Sequence, residues 1–220
     1  PEALILNAKI LNDNGVGTSS SVIAGVNWAI ENGAQIISLS IGTTYSDLED
    51  PVNLAVNDAV EKGVVVIAAS GNCGNGCSYG GCGSFRGVPV PGDNPNAITV
   101  GAVDKQNLQA CFSAGETKSY GIKPDLVAPG VDIDSAFSGN GYKKLTGTSV
   151  SAPHVSGAVA ILLQKNPDLK PAEIKTILEN SALDLGVPGE DSKYGVGLLD
   201  VGASLHLIEP RINGLYIYPE

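Results

Sequence analysis

The stretch "VVVIAAS" at positions 64–70 constrains this chain most. It offers no alternation of apolar and polar residues, so a strand formed here must be covered on both faces. Strands of that kind belong to parallel sheets between layers of helices, joined by right-handed crossovers. The flanking sequence agrees. "QIISLS" (35–40), "AITVGAV" (97–103) and "DLVAPG" (125–130) read as further strands, and "ALILNAKI" (3–10) as another.

Helical spacing lies between them. Val22, Ile23, Val26, Ala29 and Ile30 recur on one face of residues 18–32, with Thr18 or Ser19 as the N-cap and Gly33 as the stop. Residues 52–62 form a second helix ending at Gly63. Residues 150–165 form a strongly apolar one, and residues 171–180 another with Pro171 in the first turn. The expected fold is α/β, a mostly parallel doubly wound sheet with helices on both faces. In such sheets the ligand crevice opens beyond the carboxyl ends of the strands, here at the loops starting at Leu11, Ile41 and Ser70.

Composition removes several classes of function. The chain has 220 residues and a formal charge of −10 with only 13 Lys and Arg. A surface that acidic repels phosphate backbones, so a nucleic-acid partner is not expected. No apolar stretch reaches the roughly 18 residues of a membrane span, so no membrane partner is expected either. The chain opens as "PEALILNAKI", with neither a Met start nor a signal peptide, which suggests a piece of a longer polypeptide.

Four cysteines stand at 73, 77, 82 and 111, three of them within one Gly-rich stretch. Cys73, Cys77, Cys82 and Cys111 are disulfide candidates, with three possible pairings. A zinc site built from all four thiolates is the rival, although the spacings do not make two CxxC knuckles. Disulfides would support a location outside the cytoplasm, and a secreted, extracellular protein is the expectation.

The chemistry centres on "GTSVSAPH" (147–154). A serine becomes a nucleophile only with a base to take its proton and donors for the developing oxyanion. Ser149 starts a helix, where free N–H groups face an anion, although Thr148 or Ser149 is equally the expected N-cap. His154 follows five residues later, about 140° around the helix, so the two side chains diverge and His154 is a packing residue. Asn72 ends the buried strand in "AASGN" (68–72), where its amide reaches the crevice or simply occupies a turn.

"SLSIG", "VVVIAASGN", "AITVGAVD", "DLVAPG" and "GTSVSAPHVSGAVAILL", in that order, resemble the subtilisin-like serine proteases, or subtilases. The resemblance runs from Pro1 to about Ser204. It implies that residues 1–206 are the C-terminal two-thirds of a catalytic domain and 207–220 a tail or edge strand. It further implies that Ser149 is the nucleophile and Asn72 the oxyanion-hole side chain, acting on polypeptide substrates.

Gly15, Val16 and Gly17 would form one edge strand beside an extended substrate, and Ser40, Ile41 and Gly42 the other. Ala69, Ser70 and Gly71 would wall the first specificity pocket beside Thr148, with a floor near Val88–Val90. A structural Ca2+ would sit on the carbonyls of Pro95 and Ala97 and the carboxylate of Asp125, oxygen ligands that suit the ion. No organic cofactor is implied.

The family's Asp and His segments, D-T/S-G and H-G-T-H, have no counterpart here. The expectation is therefore a chain inactive alone, whose partner is the N-terminal piece of the same protease. Two other readings exist: a non-catalytic peptide-binding module, and an α/β-hydrolase esterase using Asp200 and His206. The latter lacks the second glycine of a G-x-S-x-G elbow, because Ser151 stands there.

Overall fold

Val65–Ala69 form strand β2, whose residues are all at most 3% exposed. Its side chains divide by parity. Val65, Ile67 and Ala69 join one core cluster, while Val66 and Ala68 join the other with Val64. That division is why no position in the run is polar: alternate residues face opposite cores. The computed structural model describes residues 2–77, 82–118, 121–137 and 139–208.

β2 lies between β1 (Ile36–Leu39) and β3 (Ile98–Val103), and β6 (Leu126–Pro129) completes a parallel sheet in the order β1-β2-β3-β6. On one face, α1 (Ser19–Glu31) packs against α2 (Pro51–Glu61), and α2 packs against β2. Thr18 caps α1: its hydroxyl accepts from the Ser21 amide, and the Ser21 hydroxyl accepts from the Thr18 amide. Asp50 caps α2 through the Val52 amide at 2.8 Å.

On the other face, α3 (Thr148–Lys165) crosses all four strands. It buries Ala152, Val155, Val159 and Leu162 against Ile67, Val100 and Leu126. α4 (Pro171–Ser181) and α5 (Val201–His206) close the same core with Ile174 and Leu178. The sheet is therefore covered on both sides, as the sequence pattern requires.

Three features depart from that pattern. Residues 3–10 form no strand, because no partner strand lies beside them among the described residues. Leu4 and Ile5 are 94% and 86% exposed, while Ile10 packs against Gly25 on α1. Two antiparallel hairpins also appear, β4 (Glu116–Lys118) with β5 (Gly121–Lys123) and β7 (Ile133–Phe137) with β8 (Gly141–Leu145). They are short and largely exposed, so no apolar alternation announces them. Of the expected tail, residues 209–220 lie outside the described residues. No helix among the described residues is long and apolar enough to cross a membrane.

Replacing Ile67, which is fully buried, with Ala should lower unfolding free energy by about 2–5 kcal/mol in denaturant titration. Leu54→Ala, at a site 51% exposed on α2, should change it by less than about 1 kcal/mol.

Candidate active site

The crevice lies where β1 and β2 end and α3 begins. α3 starts at Gly147, which occupies the N-cap position without a side-chain cap, so neither Thr148 nor Ser149 serves as the cap. Gly147 is pinned to the end of β6 by its amide, which donates to the Gly130 carbonyl at 2.8 Å.

The Thr148 side chain is committed elsewhere. It is buried, and its hydroxyl donates to Asn72 Oδ1 at 3.0 Å while accepting from the Gly71 amide at 3.1 Å. The Thr148 amide donates to the same Asn72 oxygen at 3.0 Å. With Oδ1 held by two donors, the orientation of the amide is set and its Nδ2 is turned away from Thr148. Gly147 has φ +148°, a value that side-chain-bearing residues rarely adopt. A Cβ placed there would sit 3.0 Å from Ser149 Oγ and 3.3 Å from Asn72 Nδ2. The serine hydroxyl and the amide nitrogen thus flank one small space that only glycine leaves open.

Ser149 itself is exposed to the crevice. Its carbonyl would normally accept the amide four residues on, but that residue is Pro153, which has none. The Ser40 hydroxyl, just past β1, donates to this carbonyl instead at 2.8 Å. One proline and one serine thereby tie the start of α3 to the edge of the sheet.

Neither histidine reaches Ser149. The His154 Nδ1 contacts the Val150 carbonyl at 2.9 Å, within its own helix. His206 ends α5, and the neighbouring Leu205 carbonyl accepts from Lys165 at the last turn of α3. Sixteen residues of helix separate that turn from Ser149, roughly 24 Å along the axis. Asp200 is engaged as the N-cap of α5 through the Ala203 amide at 2.8 Å. The esterase arrangement Ser149–Asp200–His206 is therefore ruled out by position.

A cavity of about 320 Å³ gathers Ser40, Ile41, Gly42, Ala69, Gly71, Asn72, Thr148 and Ser149 around one space. Pro89 also lines it, close against Gly71: a Cβ on Gly71, which has φ +91°, would lie 2.7 Å from the Pro89 ring. In the stretch 88–90, Val88 and Val90 belong to the core and Pro89 alone lines the cavity.

Two expected contributors are not in the lining. Ser70 is fully buried, and its amide donates to the Val100 carbonyl. Gly15, Val16 and Gly17 form no strand, because Gly15 turns the chain at φ +74° and the Val16 carbonyl accepts the Asn12 amide at 2.9 Å.

The cysteines pair as Cys73–Cys82 and Cys77–Cys111. Cys73 and Cys82 line the cavity beside Asn72, and the second bridge anchors the same loop to the segment after β3. The Gly74 and Gly76 amides add hydrogen bonds to the Phe112 and Cys111 carbonyls. The wall next to Asn72 is thus covalently constrained, which narrows the loop's conformational freedom.

Pro95, Ala97 and Asp125 do converge on one point, but their oxygens are engaged by cations of the chain itself. Lys123 Nζ lies 2.7 Å from Asp125 Oδ2 and 3.1 Å from the Ala97 carbonyl. Lys175 Nζ lies 2.8 Å from Asp125 Oδ1 and 3.0 Å from the Pro95 carbonyl. The donor set does not fit a calcium ion, which would have to share each oxygen with an ammonium group. No cluster of three or more His, Cys, Asp or Glu suited to a metal occurs among the described residues.

Burial opposes the Asp125 charge, yet the Lys123 and Lys175 ammoniums outweigh it and hold the carboxyl below its ordinary value. Burial also pulls Lys123 down, to about 8, which leaves the pair ionised at neutral pH.

The Subtilase family matches residues 1–197 of this chain. Over 204 residues the chain is 38% identical to subtilisin Savinase of Lederbergia lenta, an alignment covering 93% of this chain and 68% of that protein. An alkaline protease of Alkalihalobacillus alcalophilus is also 38% identical, with 93% of this chain and 48% of that protein covered. Subtilisin DY of Bacillus licheniformis is 35% identical across 93% of this chain and 69% of its own length. The chain belongs to the subtilase family. It spans about two-thirds of Savinase and about half of the alkaline protease.

The lowered Asp125 value has a consequence in acid. The unfolded chain takes up this proton first as the pH falls, so the carboxylate's contribution to stability is complete above about pH 5. That contribution is lost as the pH drops through 3.8 toward the folded value. Lys175→Met removes one of the two cations and should raise the folded value. The fall in melting temperature between about pH 5 and about pH 3 should then be shallower than in the wild type, and an equally steep fall would contradict the pairing.

Proposed function

We propose that this chain carries the nucleophile and oxyanion hole of a secreted serine endopeptidase. The observation that carries the reading is the double anchoring of Asn72 Oδ1 by Thr148, which turns Nδ2 toward the space beside Ser149 Oγ. Membership of the subtilase family supports it, as do relatives whose names are subtilisin and alkaline protease.

In this mechanism Ser149 Oγ attacks the carbonyl carbon of a peptide bond. The resulting oxyanion accepts hydrogen bonds from Asn72 Nδ2 and from the Ser149 amide at the start of α3. A base takes the serine proton and passes it to the leaving amine, and water then releases the acyl group by the reverse route. The substrate backbone lies along Ile41 and Gly42 in the manner of an added strand. The side chain before the scissile bond enters the cavity lined by Ala69, Gly71 and Pro89.

The base is not in these 220 residues. His154 and His206 are the only histidines, and neither reaches Ser149. The Asp and His therefore come from the N-terminal part of the same protease. Its place is beside the outer edge of β1, which has no partner strand among the described residues, and the exposed segment containing Leu4, Ile5 and Leu6, surfaces that a further layer of chain would cover. The two disulfides support an extracellular setting.

A fluorophosphonate probe tests both parts of the proposal. The protein carrying its Asp and His should be labelled stoichiometrically at Ser149, and the 220-residue chain alone should not. Stoichiometric labelling of the chain alone would overturn its dependence on another segment. Failure to label Ser149 in the complete protein would overturn the nucleophile assignment. In the complete protein, Asn72→Ala should reduce kcat by about 10²–10³, the size measured for such a donor in a subtilisin, with KM little changed.

A further inference from the structure

The crossing of β3, β6 and α4 brings three oxygens together in a geometry that invites a cation. The Pro95 and Ala97 carbonyls precede β3, Asp125 precedes β6, and Lys175 reaches across from α4. We infer that the ammonium groups of Lys123 and Lys175 permanently occupy the cation position at Pro95, Ala97 and Asp125, so that this junction is closed without a divalent metal. The inference is independent of the catalytic reading.

The hydrogen-bond count carries it. An ammonium has three donors. Lys123 Nζ has three acceptors within reach: Asp125 Oδ2 at 2.7 Å, Thr99 Oγ1 at 2.9 Å and the Ala97 carbonyl at 3.1 Å. The group is saturated and its side chain is 4% exposed, so it is built into the junction. Thr99 is itself fixed, its hydroxyl donating to the Gly92 carbonyl and its amide to Asp125 Oδ2, each at 2.6 Å.

Lys175 Nζ supplies the second charge to Asp125 Oδ1 and the Pro95 carbonyl, and its remaining neighbour is Glu179 at 4.0 Å. Two positive charges thus face one buried carboxylate, with Glu179 at the rim.

A calcium ion needs six to eight oxygens at about 2.3–2.6 Å. Here it would have to displace the saturated, buried Lys123 ammonium and sit a few ångströms from Lys175. Metal-stabilised junctions lose their cation to a chelator. A cation held by covalent bonds cannot be removed in that way, and it responds to charge-changing substitution instead.

Two measurements decide the matter. Crystals of the complete protein grown in calcium chloride, with anomalous data collected at long wavelength, should show no peak among the Pro95, Ala97 and Asp125 oxygens. A calcium peak there would overturn the inference, and this arm needs no variant. In chelator at neutral pH, Lys175→Met should lower the melting temperature by about 3 °C or more. An unchanged melting temperature would show that the ammonium contributes nothing as the site's cation and would equally overturn it.

Discussion

The site depends on one clamp, the two hydrogen bonds by which Thr148 holds Asn72 Oδ1. Asn72 follows β2 and Thr148 opens α3, so the clamp joins the centre of the sheet to the helix that crosses it. A side-chain amide is a useful donor only if its oxygen is already occupied; otherwise it turns and offers the wrong atom. The buried Thr148 hydroxyl and amide remove that freedom before any ligand arrives. Preorganisation of this kind is what makes a polar group effective against a developing charge.

The surrounding architecture serves to keep the clamp in register. The two-sided core of β2 fixes the height of Asn72, and the apolar face of α3 fixes Thr148 over the same strands. Pro153 would leave the Ser149 carbonyl without a donor, and Ser40, just past β1, supplies one. The bridge from Cys77 to Cys111 and the bridge from Cys73 to Cys82 hold the loop that begins at Asn72. At Gly147 and at Gly71 a side chain would intrude, at the first between Ser149 and Asn72 and at the second on Pro89.

The parallel sheet was legible in sequence because burial on both faces of β2 erases polar alternation in a short, β-branched run. The long helices were legible through spacing and caps, down to Thr18 and Gly63. What escaped was set by partners distant in sequence. Residues 3–10 have strand composition, but a strand exists only when its neighbour does. The hairpins β4–β5 and β7–β8 are polar and short; Gly139 and Asn140, with φ of +84° and +60°, are a local cue for the second alone. The motifs single out Ser149 and Asn72 as candidates, whereas the Thr148 clamp on Asn72 required knowing which atoms meet across 76 residues of chain. Lys123 and Lys175 were ordinary charges in sequence, and only the fold brings both onto Asp125.

The central claim is that Asn72 presents its nitrogen, and Ser149 its hydroxyl, to one carbonyl group. A crystal structure of the complete protein with a peptidyl boronate tests it most directly, because the tetrahedral boron mimics the attacked carbon. The account predicts boron bonded to Ser149 Oγ, with one boronate oxygen about 3 Å from both Asn72 Nδ2 and the Ser149 amide. Boron bonded to another residue, or that oxygen facing solvent with Asn72 turned away, would contradict it.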